Sequence, residues 1–265
     1  MKKILIALSL LMTLPLSARI KQNGGPFTPN IYIAPQIGVD IGGAIPTTFG
    51  TIEKIGSNVS PKLNPSLALK VGYDVNPQWG VVTEICYKQV GIKAGAKVKD
   101  QLFQIKDASG DIQDVWFTGI ADMDMEFSFM EIPVYAKYSW NEGRDKVLCG
   151  IYGAWVINPK FNNIAQKGYL SDVEKNPNTD QINPLNSPLE QPFNSIMSSW
   201  DVGVILGYER RIFHNLNIGL RISMGAVDIF KKNENPLGFK MHQMRGSIVV
   251  SYDLFAFPIK KKDIN

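Results

Sequence analysis

The chain has 265 residues, of which 45% are hydrophobic and 20% charged, and its formal net charge is +4. This apolar content excludes an intrinsically disordered chain, because burying it can offset the entropy lost on ordering. Two cysteines exclude a disulfide scaffold, and two histidines disfavour a histidine-based metal or catalytic cluster. Positive and negative charges are interspersed along the chain, so the sequence shows no basic patch of the kind that binds nucleic acid. A helical membrane protein is excluded too, since no apolar run of about eighteen residues follows the first twenty.

The first segment has the pattern of an export signal. A basic start, Met1-Lys2-Lys3, precedes an apolar stretch from Ile4 to Leu14, and Ala18 offers a small residue where cleavage is expected. Because the stretch is short for a bilayer anchor, we predict a signal peptide at residues 1–18 that is removed on export.

The rest of the chain has the two-residue period of β-strands. In one segment Ile218, Leu220 and Ile222 alternate with asparagine, glycine and arginine, so one face is large and apolar and the other is small and charged. A half-buried soluble sheet would also alternate, but a water-facing strand has no reason to collect glycines. A narrow barrel interior does need small residues beside long charged ones. The eight predicted strands are Ile31–Gly42, Ser66–Asp74, Trp79–Gly91, Phe127–Tyr138, Val147–Ile157, Ser199–Arg211, Asn215–Ile229 and Met241–Phe255.

The connections between these strands are alternately long and short. Gly43–Pro65, Ile92–Glu126 and Asn158–Ser198 are long, whereas Val75–Gln78, Ser139–Lys146 and Ile212–His214 are short. Transmembrane barrels pair short periplasmic turns with long outer loops, and the aromatics beside the short turns would form an interfacial girdle. We therefore predict an all-β, eight-stranded, antiparallel up-and-down barrel in the cell outer membrane. It would span residues 30–257, with periplasmic segments at 19–29 and 258–265.

Three motifs in chain order carry a family resemblance. Phe129–Tyr138 contains Glu-Ile-Pro and ends in Lys-Tyr, Gly219–Ile229 contains Arg-Ile-Ser-Met-Gly, and Arg245–Phe255 forms the last strand. Together they resemble the small Gram-negative outer membrane protein beta-barrel family that includes the PorT-like proteins. The resemblance implies an eight-stranded meandering barrel without fixing one function. Many such barrels end on an aromatic residue, whereas Pro258–Asn265 follow Phe257 here.

The phase of the strands predicts a charged lumen. Unpaired charges would be costly to bury, so we expect them to form a network, with Glu131 and Arg221 as its central pair. The network is either an ion or proton path or a structural salt-bridge plug. We favour the plug, because eight strands leave room for side chains only. The predicted inward set is Asp40, Lys70, Asp74, Glu84, Lys88, Glu131, Lys137, Asp201, Glu209, Arg221, Arg245 and Asp253.

The sequence has few features of reactive chemistry. The sequence has no Walker loop, no Gly-x-Ser-x-Gly elbow and no His-Glu-x-x-His motif, and His214 and His242 should lie at opposite ends of the barrel. Asp122, Asp124 and Glu126 share one strand face, where carboxylates could weakly hold a divalent cation. A solvated strand extension is the interpretation we favour there. We predict no enzyme activity and no cofactor.

The two cysteines are expected to stay apart. Cys86 lies on the lumen phase of its strand, while the facing of Cys149 is ambiguous, so we predict two separate buried thiols. Long outer loops are more often functional than idle. We therefore expect a non-enzymatic barrel in outer-membrane lipid that docks a protein partner through its loops or rim, as an accessory subunit or scaffold of a cell-envelope secretion or assembly complex. A narrow channel or solute-binding barrel is the alternative, and a rim enzyme comes third.

Overall fold

The computed structural model describes residues 28–46, 58–106, 112–173, 178, 182–192, 194–231 and 240–258. The predicted signal peptide, most of the predicted segment at 19–29 and the tail after Pro258 lie outside these ranges. Within them, no helix is long and apolar enough to cross a membrane.

In the described part of the chain, the fold consists of eight long strands and three short ones. The long strands lie where the sequence predicts them, which confirms the all-β, up-and-down architecture. One turn of 3-10 helix covers Asn194–Ile196. The strands are β1 (Asn30–Pro46), β2 (Asn58–Asp74), β3 (Trp79–Lys106), β4 (Ile112–Trp140), β5 (Asp145–Ser171), β6 (Ile182–Pro184), β7 (Leu189–Pro192), β8 (Trp200–Phe213), β9 (Leu216–Gly225), β10 (Met241–Tyr252) and β11 (Phe255–Pro258).

Antiparallel pairing closes the eight long strands into a ring. Each pairs with its neighbour in the order β1-β2-β3-β4-β5-β8-β9-β10, and β10 pairs with β1. The pairing register shifts along the strands around the ring. A path that starts at Ile31 and steps from each residue to its cross-strand partner returns to β1 at Ile41, an offset of ten residues. The path runs through Tyr73, Val81, Ala136, Cys149, Leu206, Ile222 and Gly246. Eight strands with this offset tilt by roughly 40° and enclose an interior that side chains fill.

The outer surface of the ring is an apolar band between two levels of aromatic side chains. At the end with the short turns lie Tyr73, Trp79, Tyr138, Trp140, Tyr208 and Phe213, as the sequence predicts. A second girdle of Tyr87, Trp155 and Trp200 lies at the other level, and sequence reasoning missed it. From Trp140 to Met130 along β4 the tilted strand rises about 25 Å, which matches the height of a membrane-embedded band.

The strands β3, β4 and β5 continue far beyond this band. They have 28, 29 and 27 residues, so the prediction that Ile92–Glu126 and the first part of Asn158–Ser198 are loops is wrong. The hairpin of β3 and β4 stays paired out to Lys106 and Ile112. The two-residue alternation of a strand persists there on the inner face, where Met123, Met125 and Phe127 are buried, whereas the outward residues are mostly polar. This part, residues 92–106, 112–126 and 158–171, is called the outward extension below.

Other strand ends also differ from the prediction. β1 continues to Pro46 and β2 begins at Asn58, so the predicted connection Gly43–Pro65 is strand at both ends. β9 ends at Gly225, four residues early, and β10 ends at Tyr252 before a break at Asp253 and Leu254. At the break the amide of Asp253 donates to the carbonyl of Asn215, and the amide of Leu254 donates to that of Ile33, each at 2.9 Å. The chain then resumes as β11, which pairs with the first residues of β1.

Candidate functional site

The interior of the ring is occupied by charged side chains of both signs. Of the twelve residues predicted to face the lumen, ten are buried, and Asp74 and Asp253 are half-buried at the short-turn end. Among the residues that the structure describes, the buried charged groups that face the interior are five acidic and six basic side chains. They are Asp40, Glu84, Glu131, Asp201, Glu209, Lys70, Lys88, Lys137, Lys146, Arg221 and Arg245.

One group of these charges, the short-turn cluster, consists of Lys70, Glu84, Lys146, Glu209 and Arg221. The ammonium of Lys70 lies 2.9 and 2.8 Å from the two carboxylate oxygens of Glu209, and that of Lys146 lies 3.0 Å from Oε1. Arg221 Nη1 donates to Glu84 Oε2 at 2.5 Å, and its Nη2 lies 3.7 Å from Glu209 Oε2. Arg221 therefore joins the two carboxylates into one network.

Polar neighbours add hydrogen bonds to the short-turn cluster. Arg221 also donates to Gln36 Oε1 and to the Tyr135 hydroxyl, both at 3.1 Å. Lys137 pairs with Asp74 beside the Tyr32 ring. A side chain at Gly72 would overlap that ring, so glycine is required there for a packing reason. The interior is thus filled rather than open at this level.

A second group, the long-loop cluster, consists of Asp40, Lys88, Glu131, Asp201 and Arg245. Glu131 Oε1 lies 2.8 Å from the Lys88 ammonium, and its Oε2 lies 2.7 Å from Arg245 Nη1. The Arg245 guanidinium also lies over the rings of Phe129 and Tyr152, at 5.0 and 4.8 Å from their centroids. Ser247 donates to Asp40.

The predicted central pair of Glu131 and Arg221 is wrong. Each group has another partner, since Arg221 binds Glu84 and Glu131 binds Arg245 and Lys88. The reason is the tilt of the strands. Because of the ten-residue offset around the ring, the height of a residue along the barrel axis depends on the pairing of all the strands. Position along the sequence alone does not give that height.

Sequence reasoning missed one member of the network. Lys146 precedes the predicted start of its strand at Val147, but β5 begins at Asp145 and Lys146 reaches Glu209 inside the ring. Its alternation with buried Leu148 was the available signal.

The two cysteines lie on opposite faces of the wall. Cys86 is buried in the lumen, with its sulfur 3.4 Å from Glu84 Oε2, and Cys149 is exposed on the outer face; both are free thiols. The prediction that both thiols are buried is therefore wrong for Cys149. Its cross-strand partner Leu206 is likewise exposed, because both belong to the outward phase of their strands.

The carboxylates predicted as a weak cation face lie on the outward extension beside lysines. Lys62 donates to Asp124 at 2.6 Å and to Glu126 at 2.7 Å, while Lys93 lies 3.3 Å from Asp124. Asp122 accepts a hydrogen bond from Gln166. Within the described ranges, no three His, Cys, Asp or Glu side chains are arranged to hold a metal ion. The arrangement fits the solvated strand extension that the sequence favours.

Lysine contacts set the ionisation of Asp124. Partial burial alone would raise the pKa of this carboxyl, but the hydrogen bonds from Lys62 and Lys93 outweigh it and lower the pKa below its usual value. The same contacts raise the pKa of Lys62 despite partial desolvation. Both groups therefore carry their charges at neutral pH.

Replacing Lys62 with Met should lower the free energy of unfolding by less than about 1 kcal/mol at neutral pH, because the ion pair of Lys62 and Asp124 is partly exposed and screened by solvent. Since folding lowers the pKa of Asp124, the stabilisation is present above the unfolded pKa of about 4 and is lost as pH falls through the lower folded pKa. The difference between wild type and variant should therefore vanish in acid. Urea unfolding at pH 7 and at about pH 2 measures it, with the exposed Lys97→Met as control. A difference that persists in acid would contradict this account.

The two histidines lie at opposite ends of the ring, as expected. His214 occupies the short turn between β8 and β9, where its φ of 25° is positive, and His242 is the second residue of β10 at the long-loop end. They share no site.

Comparison with known proteins places the chain in a family. No curated protein matches it by sequence. Similar solved structures include Ail, the attachment invasion locus protein of Yersinia pestis, with 10% identity, 87% of this chain and 100% of that chain covered, and a TM-score of 0.40. Neisserial surface protein A matches with 12% identity, coverages of 83% and 96%, and a TM-score of 0.35. OprG from Pseudomonas aeruginosa matches with 11% identity, coverages of 90% and 99%, and a TM-score of 0.29.

A family profile carries more weight than these distant likenesses. The profile described as "Outer membrane protein beta-barrel domain" matches residues 13–231, well over half of the chain. This agrees with the ring of eight tilted strands and its apolar outer band between two aromatic girdles. The chain belongs to the outer membrane protein beta-barrel domain family and is a protein of the outer membrane.

Proposed function

We propose that the protein is a non-enzymatic scaffold or accessory subunit of a cell-envelope secretion or assembly complex, within the PorT-like branch of its family. It docks a protein partner through the outward extension. The observation that carries this proposal is that β3, β4 and β5 form an ordered sheet beyond the membrane band.

The outward extension has a core of its own. Val115, Phe117, Ala121 and Ala165 are buried together on its inner side. The strand length of β4 beyond Ser128 is on the order of 50 Å, far more than a membrane crossing needs. Such a sheet offers a partner a surface of fixed shape, which lowers the entropy cost of docking.

Short strands reinforce the outward extension. β6 and β7 both pair with the outer part of β5, and Leu185 and Leu189 pack against the small core. The long connection between β5 and β8 is therefore partly structured. Its pairing covers an edge that would otherwise remain open.

The filled lumen supports docking over transport. The buried charges contact one another or polar neighbours, and the tilt of the strands leaves an interior that side chains occupy. The separation of the two histidines likewise supports a non-enzymatic role. A channel remains the second candidate and is tested at the end of the Discussion.

Trimming the outward extension should abolish partner capture. Residues 96–121 can be replaced by an Asn-Gly turn, because Gly95 and Asp122 are cross-strand partners. The amount of protein cross-linked to the chain in native membranes should then fall at least about tenfold, since the hairpin that forms most of the docking surface is gone. The measurement is quantitative affinity capture after cross-linking, with heat-modifiable gel mobility as the check on folding.

A point variant and a control keep this test decisive. Ile120→Arg changes the exposed face of the extension without removing the buried core and should weaken the same capture. Glu142→Gln in the turn at the opposite end should leave capture unchanged. Equal capture by the full-length chain, the trimmed chain and Ile120→Arg would overturn the proposal.

A further inference from the structure

A small cavity lies at the long-loop end of the lumen, beneath the turn that follows β9. Phe127, Phe129, Asp201 and Gln243 line it from the strands, and Val227, Asp228 and Ile229 line it from that turn. Its free volume of about 10 Å³ accommodates the centre of one water-sized group. The cavity therefore admits the head of a ligand and leaves the rest of that ligand outside.

Two polar side chains in this cavity keep unused hydrogen-bond acceptors. Asp201 is 3% exposed; its Oδ2 accepts from the Tyr152 hydroxyl at 2.7 Å and the Val227 amide lies near the carboxylate. Its Oδ1 makes no hydrogen bond to the residues that the structure describes. The same holds for Oε1 of Gln243, which is also 3% exposed. Buried acceptors of this kind are costly unless a donor reaches them.

The charge balance of the long-loop cluster favours a positive donor. Its carboxylates are Asp40, Glu131 and Asp201, and its cations are Lys88 and Arg245, so the cluster carries one excess negative charge. Both cations contact Glu131 directly, and Arg245 also lies near enough to interact electrostatically with Asp201. Phe127 and Phe129 also line the cavity, and aromatic rings attract cations, as the Arg245 guanidinium over the Phe129 ring shows.

We propose that this cavity binds a primary ammonium group that enters from outside the cell. Two of its N–H groups donate to Asp201 Oδ1 and Gln243 Oε1, and Phe127 and Phe129 line the same cavity. The ligand is a small amine or a lysine side chain of a docked peptide, which share this chemistry. A quaternary ammonium is excluded because it has no N–H donor and exceeds the cavity.

Gly225 allows the carboxylate to take this position. A Cβ at residue 225 would lie 2.6 and 2.7 Å from the two oxygens of Asp201. Any side chain there displaces the carboxylate, which gives a second variant that disturbs the site without removing its charge.

The test uses the refolded chain in neutral maltoside micelles with methylammonium as the probe. Ligand-observed NMR with ¹³C-labelled methylammonium should show saturable binding that equimolar sodium and tetramethylammonium do not displace. Asp201→Asn should weaken binding more than about tenfold, because it removes the charge-assisted hydrogen bond. Gly225→Ala should weaken it as well, and Asp253→Asn at the other end of the barrel should not.

A second probe separates the two sources of the ammonium group. Tighter binding of Nα-acetyl-lysinamide than of methylammonium indicates a peptide lysine, and the reverse order indicates a free amine. Heat-modifiable mobility confirms that each variant is folded. The proposal is overturned if wild type shows no saturable binding between pH 6 and about pH 9, or if folded Asp201→Asn binds as well as wild type.

Discussion

Replacing Arg221 with Met should destabilise the folded barrel by about 3–5 kcal/mol, because it leaves buried Glu84 without its cation. Arg221 is 3% exposed and contacts Glu84 and Glu209 together. Its removal therefore affects both carboxylates of the short-turn cluster. We expect the variant to insert into membranes and to unfold at a much lower urea concentration than wild type.

Urea unfolding in phospholipid vesicles, followed by tryptophan fluorescence, measures this loss. The double variant Arg221→Met with Glu84→Gln should recover a large part of it, since the stranded charge is then neutral. Arg210→Met is the matched control, because Arg210 is 60% exposed and lies 3.7 Å from Asp145. It should cost less than about 1 kcal/mol. A cost for Arg221→Met no larger than that of the control would refute the buried network as a source of stability.

Replacing Leu206 with Arg should cost about 2–4 kcal/mol, the penalty for a charged side chain on a lipid-facing strand near the bilayer midplane. Leu206 is 56% exposed and lies between Trp200 and Phe213 on β8, with Cys149 and Ile222 as its cross-strand partners. In water, the same substitution on an exposed position would change stability within about 0.5 kcal/mol. The substitution therefore distinguishes lipid from solvent at this face.

The depth dependence provides the control for Leu206→Arg. Ile212 belongs to the same strand, is exposed, and lies at the level of the girdle near the short turns. Ile212→Arg should cost only about 0–1 kcal/mol in vesicles. Equal costs at the two positions would show that the apolar band is not embedded as described.

The sequence predicts the barrel because its two faces differ strongly. Within the membrane band the outward residues must be apolar, as Ile218, Leu220 and Ile222 are, while the inward residues of β9 are small or charged. This contrast fixes the strand phase and places Lys70, Glu84 and Arg221 in the lumen. Both facts follow from the period of a β-strand.

Outside the membrane this contrast disappears, and the prediction of loops fails with it. The outward residues Lys93, Asp124 and Lys160 are charged, so no apolar stripe marks the extensions of β3, β4 and β5 as strands. Only the inward alternation of Met123 and Met125 remains as a signal. A segment with alternating apolar residues on one face only is easily mistaken for a loop.

The sequence does not predict which of the lumen charges pair with each other, for a different reason. Which charges meet depends on the ten-residue offset around the ring, and that offset follows from the pairing of all eight strands together. The alternation of Arg221 or Glu131 within its own strand contains no such information. The composition of the network could therefore be predicted, but its pairs could not.

The central claim is that paired charges fill the lumen and close it. The most direct test is the conductance of the purified, folded barrel in planar lipid bilayers. We expect no stable conductance, since the short-turn and long-loop clusters together occupy the interior from one girdle to the other. Steady channels of uniform size, seen with wild type under the same conditions, would contradict the account.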